Sequence, residues 1–116
     1  MKIDHKIHND IVILSPSGEM RSGRNENLLH QEVSRRIKEG NKKFLFDMAD
    51  VPYMDSAGLG VVLRCYTSIR KSGGVMKLTH LSERVLEIFQ ITRMSNLMDW
   101  YTDEEKALKA FASKAR

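Results

Sequence analysis

Ser56 is the residue of this sequence best placed to do chemistry. It stands in Tyr53-Met54-Asp55-Ser56-Ala57-Gly58-Leu59-Gly60, with a carboxylate immediately before the hydroxyl and two glycines close behind it. A strand-like run, Phe44-Leu45-Phe46, precedes the stretch, and a helix-like run from Val61 to Ile69 follows it. The hydroxyl therefore falls at the mouth of a helix, where the first backbone N–H groups lack intrahelical partners and negative charge is favoured. That chemistry suits carrying or meeting a phosphate. A phosphate on Ser56 would add about −1.5 to −2 charges near neutral pH. The helix end stabilises such charge, so the modification should alter what the surface binds rather than unfold the chain. Asp55 would add repulsion toward an acidic partner.

Simpler roles compete at the same residues. Ser56 could cap the helix, or Asp55 could cap it and leave Ser56 free. Each glycine inside a helix costs about 1 kcal/mol against alanine. Gly58 and Gly60 therefore call for a reason, either close packing on a sheet or close approach by a partner's backbone.

Other constellations carry alternative chemistry. Asp47, Asp50 and Asp55 cluster near the C-terminal end of a strand, the edge where α/β domains bind ligands. Three carboxylates could hold Mg²⁺ through oxygen ligands, although aspartate also suits turns and caps. A Ser–His–Asp hydrolase would need His5, His8, His30 or His80 against Ser56, and the Gly-x-Ser-x-Gly elbow is missing. Cys65, the sole cysteine, lies within a helix pattern and reads as a packed thiol. Met94 and Met98, near Leu97, suit core filling, with an adaptable contact surface as the alternative.

The elements that must position Ser56 are legible in order. Ile3 to His8 and Ile11 to Leu14 flank the turn signal Asn9-Asp10 and read as a hairpin. Leu29, Val33 and Ile37 mark a helix closed by Gly40. Phe44-Leu45-Phe46 reads as a strand covered on both faces. The next helix should bury the stripe Leu59, Val62, Leu63, Tyr66 and Ile69 and end at Ser72-Gly73-Gly74. Val75 to Thr79 is a strand. Ser82 caps a helix burying Val85, Leu86 and Phe89. Trp100 and Tyr101 mark a last strand. Thr102 with Glu105 forms a capping-box pattern for a final helix carrying Leu108 and Phe111, and the tail 113–116 should fray. The order β-β-α-β-α-β-α-β-α predicts an α/β fold: a mixed, mostly parallel sheet of about five strands with about four helices.

Asp55-Ser56-Ala57-Gly58-Leu59-Gly60, preceded by Tyr53-Met54, resembles the phosphoacceptor motif of STAS domains, in particular bacterial anti-sigma factor antagonists. The likeness covers nearly the whole chain, through the opening hairpin, Ser17-Gly18-Glu19, the strand before Asp55, Gly73-Gly74 and the Val85-Leu86-Glu87-Ile88-Phe89 helix. It implies a single STAS domain over residues 1–116, working as a partner switch without catalysis or cofactor. In that family the unmodified antagonist binds an anti-sigma factor that is also a serine kinase of the GHKL type. Binding releases the sigma factor to RNA polymerase. The kinase phosphorylates the motif serine, here Ser56, and the complex dissociates; a PP2C-type phosphatase restores binding. Ser17, Gly18, Glu19, Arg21, Asp55, Ala57, Gly58, Gly60 and Arg64 are then the expected partner surface. Two departures stand out. Arg21 occupies the loop position after Gly18-Glu19 where such antagonists usually carry aspartate, and Ala57 leaves Ser56 as the only hydroxyl within the motif. Alternatives are a STAS subunit of a transporter-associated or other signalling assembly, and a metal-dependent or nucleotide-binding enzyme.

Bulk properties narrow the field. The 116 residues suit one core, with no linker or internal repeat. The net charge of +4 comes from short doublets such as Lys42-Lys43, offset by Asp103-Glu104-Glu105. Without a basic stripe interleaved with aromatics, nucleic-acid binding is not expected. No apolar run reaches the roughly 18 residues of a membrane span. The N-terminus lacks the apolar segment of a secretory signal, and one cysteine precludes an intrachain disulfide, so a cytoplasmic location is expected.

Overall fold

The computed structural model describes residues 1–21 and 27–112, so the tail 113–116 lies outside the described residues. A single sheet organises the chain. Strands β1 (Lys2–His8) and β2 (Ile11–Ser17) form an antiparallel hairpin turned at Asn9, whose φ of 56° is the left-handed conformation asparagine tolerates. Strands β3 (Lys43–Asp47), β4 (Val75–Thr79) and β5 (Asp99–Tyr101) add in parallel, giving the order β1-β2-β3-β4-β5. Helices α1 (Leu28–Lys38), α2 (Ser56–Lys71), α3 (Glu83–Ile91), α4 (Met94–Leu97) and α5 (Glu104–Ala112) connect and close it. The mixed α/β architecture expected from the sequence is the one observed, with the single turn α4 as an added fifth helix.

Side-chain alternation sends the central strands into two cores. Val12, Leu14, Phe44, Phe46, Met76 and Leu78 join Leu29, Val33, Val62, Cys65, Ile69, Val85 and Phe89 under α1, α2 and α3. On the opposite face, Ile11, Ile13 and Leu45 meet Ala107 and Phe111 of α5. Phe44, Leu45 and Phe46 are all fully buried, as a strand covered on both faces requires.

Three local expectations need correction. The buried stripe of α2 is Gly58, Leu59, Val61, Val62, Cys65 and Ile69, while Leu63 and Tyr66 are only half-buried. Small Gly58 and Cys65 face inward, and the bulkier Leu63 and Tyr66 pack against the core from its margin. Leu86 is likewise half-buried, leaving Val85 and Phe89 as the inward residues of α3. The cap of α5 is Asp103 rather than Thr102: its Oδ1 accepts the Lys106 N–H at 2.8 Å, and a carboxylate is the stronger acceptor at a helix N-terminus.

Candidate functional site

Ser56 is the first residue of α2, and three layers of backbone bonding fix where it sits. The chain leaving β2 runs alongside the segment that enters α2. Gly18 N–H donates to Asp50 O at 3.0 Å, Met20 N–H donates to Tyr53 O at 3.0 Å, and Asp55 N–H donates to Met20 O at 3.1 Å. Parallel bridges Ser17 to Asp50 and Met20 to Met54 continue the same pairing. The Ser17-to-Arg21 loop and the Asp55-Ser56 junction, distant in sequence, are thereby adjacent strips of one surface. Gly18 adopts a φ of 104°, which bends the loop in a conformation other residues resist.

Asp55 settles the choice between capping residues. Its backbone is extended and its Oδ1 accepts the Gly58 N–H at 3.0 Å, the geometry of an N-cap. Ser56 is exposed at the first helical position. The two glycines serve different ends. A Cβ on Gly58 would lie 2.1 Å from the Met20 carbonyl oxygen and 2.8 Å from its carbon, so Gly58 lets the first turn of α2 press on the loop backbone. A Cβ on Gly60 would meet only the flexible end of Arg64, at 4.0 Å. Ser56, Gly60 and Arg64 follow one another at helical spacing along the outward face, with a bare backbone in the middle. Arg64 is exposed and donates to Asn27 Oδ1 at 3.3 Å, at the start of α1. Ala57 is half-buried. Ser17 Oγ donates to Lys2 O at 3.3 Å. Arg21 pairs with Glu19 at 3.1 Å on the loop surface, two residues of opposite sign holding each other beside the junction.

On the other flank a groove of about 340 Å³ runs between Tyr53, Met54, Asp55 and Ser56 on one side and Arg84, Glu87, Ile88 and Ile91 of α3 on the other. Ser82 ties the two sides: its Oγ caps Val85 N–H at 3.2 Å and donates to Pro52 O at 3.3 Å. The Arg84 guanidinium stacks over the Tyr53 ring at 5.0 Å. These α3 residues escape a sequence reading centred on Ser56. Their signal is a second stripe, Arg84, Glu87, Ile88 and Ile91, out of phase with the core stripe of Val85 and Phe89.

The other constellations disperse. Asp47 accepts from Ala49 N–H and meets His80 Nδ1, each at 3.1 Å; Asp55 caps α2; Asp50 is exposed. Among the described residues no cluster of three histidine, cysteine or acidic side chains could hold a metal ion. His30 Nε2 shares a hydrogen bond with Ser68 Oγ at 3.0 Å, joining α1 to α2, while His5 and His8 lie exposed on β1. Burial pushes the Cys65 thiol up to about 12, with a small opposing pull from Arg64, which makes it an inert packed group at neutral pH. Met98 is buried, Met94 packs against the core, and Leu97 is exposed. No helix among the described residues is long and apolar enough to cross a membrane.

Comparison with known proteins bears on the family and the fold. The family model described as STAS domain matches residues 2–107. The chain belongs to the STAS domain family. A Thermotoga neapolitana protein assigned by name to the anti-sigma factor antagonists is 31% identical to this STAS domain over 106 residues, covering 90% of this chain and 93% of that one. The anti-sigma-B factor antagonist of Bacillus subtilis (strain 168) is 44% identical over 52 residues, 45% of this chain and 48% of that protein; the match thus spans about half of that relative's length. The crystal structure of a Thermotoga maritima protein, also assigned to the anti-sigma factor antagonists, superposes with a TM-score of 0.86 at 28% identity, over 96% of this STAS domain and 95% of that chain.

Proposed function

We propose that this STAS domain is an anti-sigma factor antagonist whose binding is switched off by phosphorylation of Ser56. The observation that carries the reading is the exposure of Ser56 at the first position of α2 while Asp55, beside it, turns its carboxylate inward as the cap. A hydroxyl so placed is open to an incoming kinase, and the cap that holds the helix survives its modification.

In this reading the unmodified chain binds an anti-sigma factor that is also a GHKL-type serine kinase, and so frees a sigma factor. The docking surface is the outward face of α2, Ser56, Gly60 and Arg64, with the adjoining Ser17-Gly18-Glu19 and Arg21 loop. Gly60 admits the partner's backbone close to the helix. Gly58 and Ala57 support the surface from within or at its margin. The kinase moves the γ-phosphoryl group of ATP to Ser56 Oγ: the new O–P bond forms, the bond to the β-phosphate bridging oxygen breaks, ADP leaves and the hydroxyl proton passes to a base of the kinase. A PP2C-type phosphatase hydrolyses the phosphoserine and restores binding. The chemistry thus resides in the partners.

Electrostatics explains why modification separates the complex and spares the fold. The new dianion sits where the helix dipole favours it, worth about 0.3 to 1 kcal/mol at an exposed N-terminus. Toward a partner pressed against Gly60, the same charge must be desolvated or expelled, and Asp55 adds to the field. Affinity capture from native cell extract with ATP present, using wild type and Ser56→Ala, tests the reading. The expected result is an anti-sigma factor kinase on both baits and the mass of one phosphate on the wild type alone. An unmodified wild type with no such kinase recovered would overturn it.

A further inference from the structure

Among the described residues, strand β1 forms an open edge of the sheet, hydrogen-bonded to β2 along one side. Six of its seven residues are exposed, and Ile3 is half-buried. An edge seven residues long, with Ile7 left 54% exposed, offers backbone groups that no strand among the described residues pairs and an apolar side chain that the described residues leave uncovered. Beside it lies a cleft of about 370 Å³ lined by Ile3 and His5 of β1 and Leu28, Glu32 and Arg35 of α1. Leu28 is itself 39% exposed, so two of the chain's uncovered large apolar side chains lie along this one edge.

The sequence of β1 states what would complete it. Two copies of one strand can pair antiparallel about a two-fold axis only if one residue faces itself, because opposed residues must lie on the same sheet face and turn their backbone groups toward the seam together. Centring on Asp4 opposes two carboxylates, and centring on Lys6 opposes two ammonium groups. Centring on His5 instead brings each Asp4 against the second copy's Lys6 and each Ile3 against the second copy's Ile7, across the full length of the strand. Like charges opposite each other are unfavourable, and opposite charges and apolar pairs are favourable. Lys2 then faces the second copy's His8 at the ends of the ladder and contributes no attraction. Lysines on an edge usually discourage pairing; here Lys6 gains a carboxylate. Lys6 contacts Glu104 at 3.4 Å with its side chain 64% exposed, so the second copy's Asp4 shares that ammonium group with Glu104.

We propose that β1 is a self-association surface, joining two copies of this chain through an antiparallel β1–β1 ladder centred on His5 and producing a continuous ten-stranded sheet. The occupant is a second copy because the strand is complementary to itself in charge and in apolar position. The contact is short, which places it among the weaker, reversible associations. The N-terminal end of β1 adjoins the Ser56 surface, since Ser17 Oγ donates to Lys2 O at 3.3 Å, but the pairing does not depend on the function proposed there.

Sedimentation of the full chain from about 10 μM to 1 mM, the range in which weak contacts populate, tests the proposal. We expect a reversible monomer–dimer equilibrium. Asp4→Lys should weaken it about tenfold, since both attractive pairs become repulsive. Asp4→Lys combined with Lys6→Asp should restore it by exchanging the charges. His5→Cys supplies a geometric check. Residues that face themselves have Cα atoms about 4.5 to 5.5 Å apart, within disulfide reach. A cysteine at position 4 would be about 8 Å from its counterpart. Mild oxidation should therefore cross-link His5→Cys and leave Asp4→Cys monomeric, with Cys65 buried and silent. A wild-type chain that stays monomeric throughout the range would overturn the proposal. So would a dimer unaffected by Asp4→Lys, or cross-linking of Asp4→Cys as fast as that of His5→Cys. Thermal melts of the variants separate these outcomes from loss of folding.

Discussion

Replacing Gly58 and Gly60 by alanine, one at a time, should move stability in opposite directions. Both are helical, so alanine brings each a propensity gain of up to about 1 kcal/mol. At Gly60 little opposes that gain, since the new Cβ meets only the Arg64 guanidinium nitrogen at 4.0 Å. Gly60→Ala should match wild type or exceed it by a few tenths to about 1 kcal/mol. At Gly58 the new carbon would lie 2.1 Å from the Met20 carbonyl oxygen. That atom belongs to backbone and accepts the Asp55 N–H, so relief requires moving the loop off the helix and loosening the bond. Overpacking of this kind costs about 1 to 3 kcal/mol, and the weakened hydrogen bond about 1 kcal/mol more. Against the propensity gain, Gly58→Ala should be destabilised by about 2 kcal/mol, or about 1 M in the urea midpoint for a chain of this size. Urea titration followed by circular dichroism, with Trp100 fluorescence as a second probe, reads both variants. Equal shifts of the same sign would refute the separation of the inward glycine from the outward one. If Gly60 lies under a partner, the stable Gly60→Ala protein should still bind that partner more weakly.

Further outcomes follow from the cap and the charged pairs. Asp55→Ala should lose about 1 kcal/mol, and Asp55→Asn less, because the amide oxygen can still accept the Gly58 N–H; chemical denaturation checks both. Lys77 is buried under α5; burial opposes its charge, but the hydrogen bond to Asp99 at 2.9 Å and that carboxylate's field outweigh burial and raise its pKa, with Tyr101 contributing. A raised cation stabilises fully below its unfolded value, about 10.4, and loses that contribution as pH climbs through the folded value. The stability of wild type relative to Lys77→Met should therefore fall above that pH in denaturation experiments. Glu32 behaves inversely: desolvation raises its pKa, yet hydrogen bonds from Arg36 and Arg35 outweigh burial and lower it. Its contribution is present above the unfolded value of about 4.3 and lost as pH drops through the folded one. The advantage of wild type over Glu32→Gln should accordingly shrink in acid. Cys65 should resist a disulfide exchange reagent at pH 8 in the native chain and react fully in denaturant.

How far the sequence reveals this molecule depends on whether a feature is local. The strands show as β-branched and aromatic runs, and Phe44-Leu45-Phe46 announces its two-sided burial because neither neighbour in the run is polar. Ser82 identifies itself as a cap by type and spacing. The position of Ser56 at a helix mouth is equally local, set by Asp55 before it and the apolar stripe after it. The rotation of α2 is tertiary. Nothing within the helix says that Cys65 and Gly58, rather than Leu63 and Tyr66, point inward; α1 and the Met20 backbone decide that. Asp103 wins the α5 cap from Thr102 by a single residue, below the precision of a pattern. The groove beside Ser56 is harder still to foresee, because Arg84 and Ile91 come within reach only when α3 folds back past Tyr53. Gly58 called for an explanation from the start, but its reason is a loop 38 positions away in the chain, counted from Met20 to Gly58.

Whether a phosphate on Ser56 blocks binding while leaving the fold intact is open to one direct measurement. The chain would be prepared with phosphoserine at position 56 and without it. Each form would be melted by circular dichroism and titrated calorimetrically against the anti-sigma factor recovered with the unmodified protein. Closely similar melting temperatures are expected, with an affinity at least about a hundredfold lower for the phosphorylated form, equivalent to about 2.7 kcal/mol. Equal affinities, or a phosphorylated chain that binds weakly because it has unfolded, would contradict the proposed switch.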